Sequence, residues 1–348
     1  MFVGHTDYPQ VWFLWGAYPT MVVYYYMILY LLGFLACALV IFVAAKITYK
    51  QVLNISEIFN VPTFLVSLLL VAFSTSTPEL FVGVSSALRD VPSFSLGNIF
   101  GSNIINLTFV AGIVILLSKK PLNLHENISL RRIMLTFAIA STPVFLVLDG
   151  TVSRIDGFIL LSLYIFYIYW VLKRHKEDAA KIKQLRERDI GKATKSIFLF
   201  ALGIILLVGG SEAIITIAER ASAVFSITPF VMGVFAIAFS TCLPEIMFGI
   251  RVALEQKPEL SAGDLIGSSA VNAAGILGIV AIISPITPNV LSTVLLTGFF
   301  GIFVFLLYFL SSVKTEIPRV WGVWLLVLYF VFVSFNFILH SGPSSAIM

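Results

Sequence analysis

AFSTSTPELFVG, residues 72–83, sets a proline and a glutamate side by side, Pro78 and Glu79, inside a long apolar stretch. Proline removes a helical hydrogen bond, and a carboxylate is costly to keep in hydrocarbon. The arrangement returns in AIAFSTCLPEIMFG, residues 236–249, with Pro244 and Glu245 in the corresponding places. A pattern that is unfavourable once and occurs twice needs one explanation for both copies.

The chain around these stretches is 59% hydrophobic and only 11% charged over 348 residues. A soluble domain carries about a quarter charged residues. Apolar runs of about 20 residues recur without every-second alternation, which predicts membrane-spanning helices and argues against a β-barrel. Ten spans are expected, at 22–45, 59–88, 94–117, 131–148, 156–172, 196–218, 226–254, 262–283, 290–312 and 319–339. The basic stretch 173–195 separates five spans from five.

With the amino terminus outside, nineteen of the 22 lysines and arginines fall in cytoplasmic loops. Arg89, Arg154 and Arg220 are the three that face outward. This asymmetry orients the chain by the positive-inside rule, with both termini extracytoplasmic and 173–195 cytoplasmic. No lysine or arginine precedes Lys46, so residues 1–21 are expected to be an extracytoplasmic lead and not a signal peptide. The basic residues lie in short loops, so nucleic-acid binding is not expected. Cys37 and Cys242 both sit in apolar segments and imply no disulfide framework, while the four histidines show no metal-ligand spacing.

Shifting the chain against itself by 166 residues aligns 59–113 with 225–279 without a gap, and 19 of 55 positions are identical. The identities include Ser74/Ser240, Thr75/Thr241, Pro78/Pro244, Glu79/Glu245, Gly97/Gly263, Gly101/Gly267, Ser102/Ser268 and Asn106/Asn272. This is an internal duplication. Each copy has five spans, an odd number, so the second enters the membrane inverted. Inverted repeats bring binding groups together near the midplane, on interrupted helices. Glu79 and Glu245 are therefore expected to meet there.

Proline at 78 and 244 is expected to free carbonyls near 72–75 and 238–241. Hydroxyls of Thr75, Ser76, Ser102, Thr241 and Ser268, the amides of Asn106 and Asn272, and two carboxylates complete the set. Hard oxygens in this number suit Ca2+ and Na+ and suit thiolate- or imidazole-loving metals poorly. Two carboxylates match one divalent ion or several monovalent ones. Competition for a shared cage favours antiport. A cation channel and a proton-coupled carrier remain the alternatives at this point, and no nucleophile–base pair or cofactor motif points to an enzyme.

AFSTSTPEL with GNIFGSNIIN, and AFSTCLPEI with GDLIGSSAVN, resemble the two alpha-repeats of the Ca2+/cation antiporter superfamily, closest in form to its prokaryotic Na+/Ca2+ exchanger branch. The resemblance implies an all-α integral membrane fold of ten helices in two inverted five-helix repeats, 22–172 with motif 72–113 and 196–339 with motif 238–279. Residues 173–195 would be the linker and 340–348 a tail. It implies Ca2+ held by Glu79, Glu245 and the backbone carbonyls of Thr75 and Thr241. Na+ or shared sites would use Ser76, Ser102, Asn106, Ser268, Asn272, Ala72 and Ala238. No cofactor is implied beyond the transported ions, with H+ as the alternative coupling ion, and a monomer would suffice for transport. The first and sixth spans would slide across the other eight.

Four positions depart from the family pattern, among them Ser74 and Ser240, which stand where it usually has glycine and whose change nothing here explains. Cys242 replaces a serine hydroxyl by sulfur, and Asn272 stands where potassium-dependent relatives carry aspartate. Blander roles also exist: Ser102 and Ser268 as small packing residues, Asn106 as a helix–helix bond. Glu212, in the sixth span, is expected to reach the outer interface while Lys46, its equivalent, extends inward. A pairing between them is the functional alternative.

Overall fold

The computed structural model describes residues 20–58, 63–119, 130–174, 190–225, 227–256, 258–287, 301 and 316–341. Helices occupy nine of the ten expected positions. They are α1 (Thr20–Ile58), α2 (Thr63–Leu88), α3 (Ser93–Leu117), α4 (Leu130–Leu146) and α5 (Arg154–Arg174). In the second half come α6 (Ile190–Phe225), α7a (Pro229–Thr241), α7b (Leu243–Leu254) and α8 (Pro258–Ala270, continuing through Leu277–Ile283), and then α9 (Val320–Ser341). The span expected at 290–312 lies outside the described residues except for Gly301, as do residues 1–19, 175–189 and 342–348.

Helix ends depart from the hydropathy boundaries where the chain can stay helical in water. α1 runs for 39 residues and α6 for 36. At 1.5 Å per residue these are roughly 55–60 Å long, far more than about 30 Å of hydrocarbon requires. Polar residues at one end carry each helix past the apolar core, so α6 begins inside the stretch expected to be linker. α7a starts later than expected because Thr228 caps it, accepting from Val231 N at 3.4 Å, and Pro229 fits the first helical turn.

The helices fall into an inner and an outer set. In the spans of α3 and α8, 78% of residues are buried, against 22% for α1 and 28% for α6. α3 and α8 therefore form the interior. α1 and α6 pack on one another at its flank, through Ile41, Ala44, Leu207, Ile214 and Ala218. Their outer faces expose Leu31, Leu35, Leu39, Phe198 and Ile205, which suits lipid and not water. Tyr24, Tyr25 and Tyr26 are exposed at the start of α1, where an aromatic belt is expected.

The duplication is visible in backbone detail that identity alone did not reveal. A π turn covers Ile105–Val110 in α3, and another covers Val271–Ile276 in α8, 166 residues on. Asp90 (φ 58°) and Gln256 (φ 61°) are the non-glycine residues at positive φ among those described, and they too are 166 apart. Both close the turn after a proline-containing helix, continuous in α2 and broken in α7. The halves interlock through matching contacts: a Cβ at Gly112 would meet the Gly322 carbonyl oxygen at 2.9 Å, and one at Gly157 the Gly278 oxygen at 2.8 Å. Small residues let these backbones touch, which is how helices gain packing energy in lipid. Val152 and Ile286 add a backbone tie between the copies, with bonds of 2.8 and 3.0 Å.

Candidate cation-binding centre

The two glutamates do meet. One carboxylate oxygen of Glu79, one of Glu245 and the sulfur of Cys242 all lie within 4.8 Å of one another, and all three residues are buried. Both glutamates have no exposed surface. The broken helix explains how this arises. Pro244 has no N–H to give, and α7 bends by 46° at Cys242, between α7a and α7b. A π turn at Gly233–Ile237 adds a further irregularity one turn earlier. Glu245 thus sits in the first turn of α7b and points inward beside the break.

The expectation of freed carbonyls holds for part of the set. Across the break the bonds run from Cys242 N to Ala238 O at 2.9 Å and from Ile246 N to Cys242 O at 3.0 Å. The Thr241 carbonyl receives no backbone donor across it. The Ala238 carbonyl is not freed: it takes the Cys242 amide and lies 3.2 Å from the Thr241 hydroxyl. The reason is positional. Proline removes the bond four residues back, and Ala238 lies six back, where cysteine still donates. In the first copy Ala72 and Thr75 are helical within α2, and their side chains lie outside the described residues.

Of the other expected residues, Ser102 comes within reach of an acid. Ser102 Oγ lies 3.4 Å from Glu79 Oε1 and 3.5 Å from Asn98 Oδ1, both long for hydrogen bonds. Cys242 Sγ is 3.9 Å from Glu79 Oε1, so the sulfur that replaces a serine hydroxyl stands inside the centre. Asn272 reaches Asn103 Oδ1 at 3.5 Å from α8 to α3, while Ser268 turns back to the Leu265 carbonyl at 3.1 Å. Asn106 and Asn272 lie in the paired π turns, whose widened coil tolerates polar side chains in the interior.

Much of this polarity is unspent. Among the described residues, both Glu245 oxygens, Glu79 Oε2, Ser76 Oγ, Asn98 Nδ2, both Asn106 amide atoms and Asn272 Oδ1 are buried without a hydrogen-bond partner. Each such group costs about 1–3 kcal/mol when left so. The nearest arginines by sequence, Arg89 and Arg251, are about one-third and mostly exposed, at helix ends. No described basic side chain neutralises the pair, so the donor set fits cations that arrive from solution.

Asn98, Asn103 and Asp264 are inner polar residues that the motif reading did not single out. Asn98 accepts from Thr241 Oγ1 at 3.0 Å, joining the two copies directly. A helical-face argument could have found two of them. Asn98 and Asp264 each stand four residues before the paired serines, one turn away on the same face. They differ in type, so a search for identities passed over them.

An all-helical membrane protein with two inverted copies closed on a buried anionic centre is the class these features define. The chain belongs to the sodium/calcium exchanger family, whose model matches residues 29–173 and 195–338. It is 28% identical over 281 residues to an uncharacterised membrane protein of Methanocaldococcus jannaschii, covering 80% of this chain and 88% of that one. It is 24% identical to the sodium/calcium exchanger MaX1 of Methanosarcina acetivorans, over 81% and 91% of the two chains. Solved structures of the sodium-calcium exchanger NCX_Mj share the fold, one with a TM-score of 0.62 at 24% identity, covering 88% of this chain and 98% of that one.

Proposed function

We propose that this protein is a secondary active antiporter that exchanges Na+ for Ca2+ across the cell membrane by alternating access. Ca2+ would sit between Glu79 and Glu245, with the Thr75 and Thr241 carbonyls completing its shell. Na+ would take sites among Ser76, Ser102, Asn106, Ser268 and Asn272, with Ala72 and Ala238 contributing carbonyls as helices shift. The observation that carries this reading is the pair of fully buried carboxylates from opposite copies, within 4.8 Å and with no fixed counter-charge.

Obligatory exchange follows from charge. Inserting a bare carboxylate into the bilayer centre costs roughly 2.5–3.5 kcal/mol even on the gentlest scales. A centre emptied of cations would bear that cost twice, plus repulsion between the two acids. The cation-loaded centre bears neither, so access changes sides mainly when ions are bound. α1 and α6, packed on each other at the flank with lipid-facing outer sides, are the helices free to slide. The repeats 22–172 and 196–339 would be the two halves, with both termini outside and 173–195 in the cytoplasm. One chain supplies both acids, so a monomer suffices.

One feature favours a proton-coupled second reading: sulfur at Cys242 removes a hard oxygen that Na+ would use. Proteoliposomes loaded with Na+, with K+, or with a pH gradient alone separate the two. Ca2+ uptake driven by outward Na+ supports the proposal, and uptake equal in Na+-free vesicles under a pH gradient replaces it by the second. Absence of Ca2+/Ca2+ counterflow under every condition removes both.

A further inference from the structure

Asp264 is a third acid of the interior. It is 4% exposed and lies on α8, between Ser261 and Ser268. Packing register gives its level. A side chain at Gly249, one turn past Glu245 on α7b, would meet Ser261 Oγ at 3.3 Å, and Leu265 packs with Cys242 and Ile246. α7b and α8 run antiparallel through a short turn, so Asp264 falls level with Glu245. Glu79 and then Asp264 are the charges that act on Glu245. The first copy repeats the register, with Gly83 against Ser95 Oγ at 3.0 Å. There Asn98, the equivalent of Asp264, touches Thr241 and Ser102. Position 98/264 is therefore a wall of the centre, once as an amide and once as a carboxylate.

We infer that Asp264 is a third cation-binding carboxylate, and that it sets how many Na+ ions the centre needs in place of one Ca2+. This rests on the antiporter reading. Glu79, Glu245 and Asp264 together carry three negative charges, which three Na+ ions neutralise; without Asp264 two suffice. The position also offers charge where Asn272 withholds it.

Reconstituted Asp264→Asn tests this. The steepness of Ca2+ efflux against Na+ concentration should fall, its Hill coefficient dropping by about one as one charge leaves the centre. Asn98→Asp combined with Asp264→Asn should restore the steepness, because it returns the charge at the equivalent wall position. Unchanged steepness in Asp264→Asn overturns the inference, as does a loss of counterflow that Asn98→Asp fails to restore. Thermal unfolding in detergent against Na+ concentration counts the same ions without transport. A failure of the antiporter reading would therefore appear separately, as wild-type protein that binds Na+ steeply and does not exchange it.

A different observation carries a second inference. Arg89, just past α2, bonds Glu212 at 2.8 Å and Glu219 at 3.1 Å on α6. Glu212 thus pairs with arginine and not with Lys46. Moving this pair by 166 residues turns Arg89 into Glu255 and Glu212 into Lys46: the same bridge, charges exchanged, on the opposite membrane face. Here Glu255 bonds Arg251 instead, at 2.9 Å. Inverted copies trade roles when access alternates. The geometry points to a Lys46–Glu255 ion pair that forms in the opposite state as the Arg89–Glu212 pair opens.

Cysteine pairs read this directly. A bifunctional methanethiosulfonate long enough to span the two replaced side chains should link Lys46→Cys to Glu255→Cys during Ca2+ exchange and stop transport until a reductant cleaves its disulfides, and should do the same for Arg89→Cys with Glu212→Cys. Reversing both charges, Lys46→Glu with Glu255→Lys, should recover most of the turnover lost on Lys46→Glu alone. The idea is overturned if 46 and 255 never cross-link where 89 and 212 do, or if the double reversal recovers nothing.

Discussion

Glutamine at position 79 or 245 is expected to abolish Ca2+ uptake into proteoliposomes while the protein still folds. Truncating one partner of a buried charge interaction costs on the order of 2–5 kcal/mol, or about 30-fold to several thousand-fold in affinity. The reason for survival of the fold is specific to this site. Glu79 and Glu245 are wholly buried near each other and near no described basic side chain, so each destabilises the cation-free protein. Removing one charge relieves that repulsion. In cation-free detergent the variant should unfold at or above the wild-type temperature. Ca2+ should stop raising that temperature, where a bound ligand at 100 times its Kd would stabilise by about 2.7 kcal/mol. Wild-type uptake in either variant would remove these acids from the site.

Alanine at Gly97 should be the most damaging substitution outside the acids. Its Cβ would stand 2.0 Å from the Phe230 carbonyl oxygen and 2.9 Å from the carbonyl carbon, in α7a. These are backbone atoms and cannot rotate away, so α3 and α7a must separate. Gly101, one turn on, meets the Val234 carbonyl at 2.3 Å and Ala238 Cβ at 2.7 Å, and Gly233 meets the Phe94 carbonyl at 2.4 Å from the other side. Forced overpacking costs typically about 1–3 kcal/mol and occasionally more. It would also pull Asn98 and Ser102 away from Thr241 and Cys242. We expect Gly97→Ala to lower the unfolding temperature markedly and to weaken Na+ and Ca2+ stabilisation together. Gly209→Ala is the control: nothing lies within 4 Å, so it should be neutral or mildly stabilising. Equal behaviour of the two variants would contradict the account of the α3–α7a contact.

Much of the architecture was legible in the residues. Hydropathy marked the positions of all nine described helices, since burying backbone polar groups in lipid leaves helices as the only open-ended solution. The two Pro-Glu pairs and the constant spacing of 166 pointed to duplication and to a meeting of acids. Helix ends were less legible: α1 and α6 run well past their apolar cores, because nothing in hydropathy stops a helix at the membrane surface. Freed carbonyls were legible only in part, for proline names the bond it deletes and not how the turns around it regroup.

What the chain decided by itself is the set of helices, their inverted repetition and the presence of two buried acids, all properties of local polarity and spacing. Which groups share a contact was decided by tertiary structure. Cys242 with the two glutamates, Asn98 on Thr241 and Arg89 on Glu212 all join segments whose relation depends on how closely helices approach and rotate. That approach is governed by glycines touching carbonyls across the interface, a matter of tenths of an ångström that no one-dimensional pattern carries.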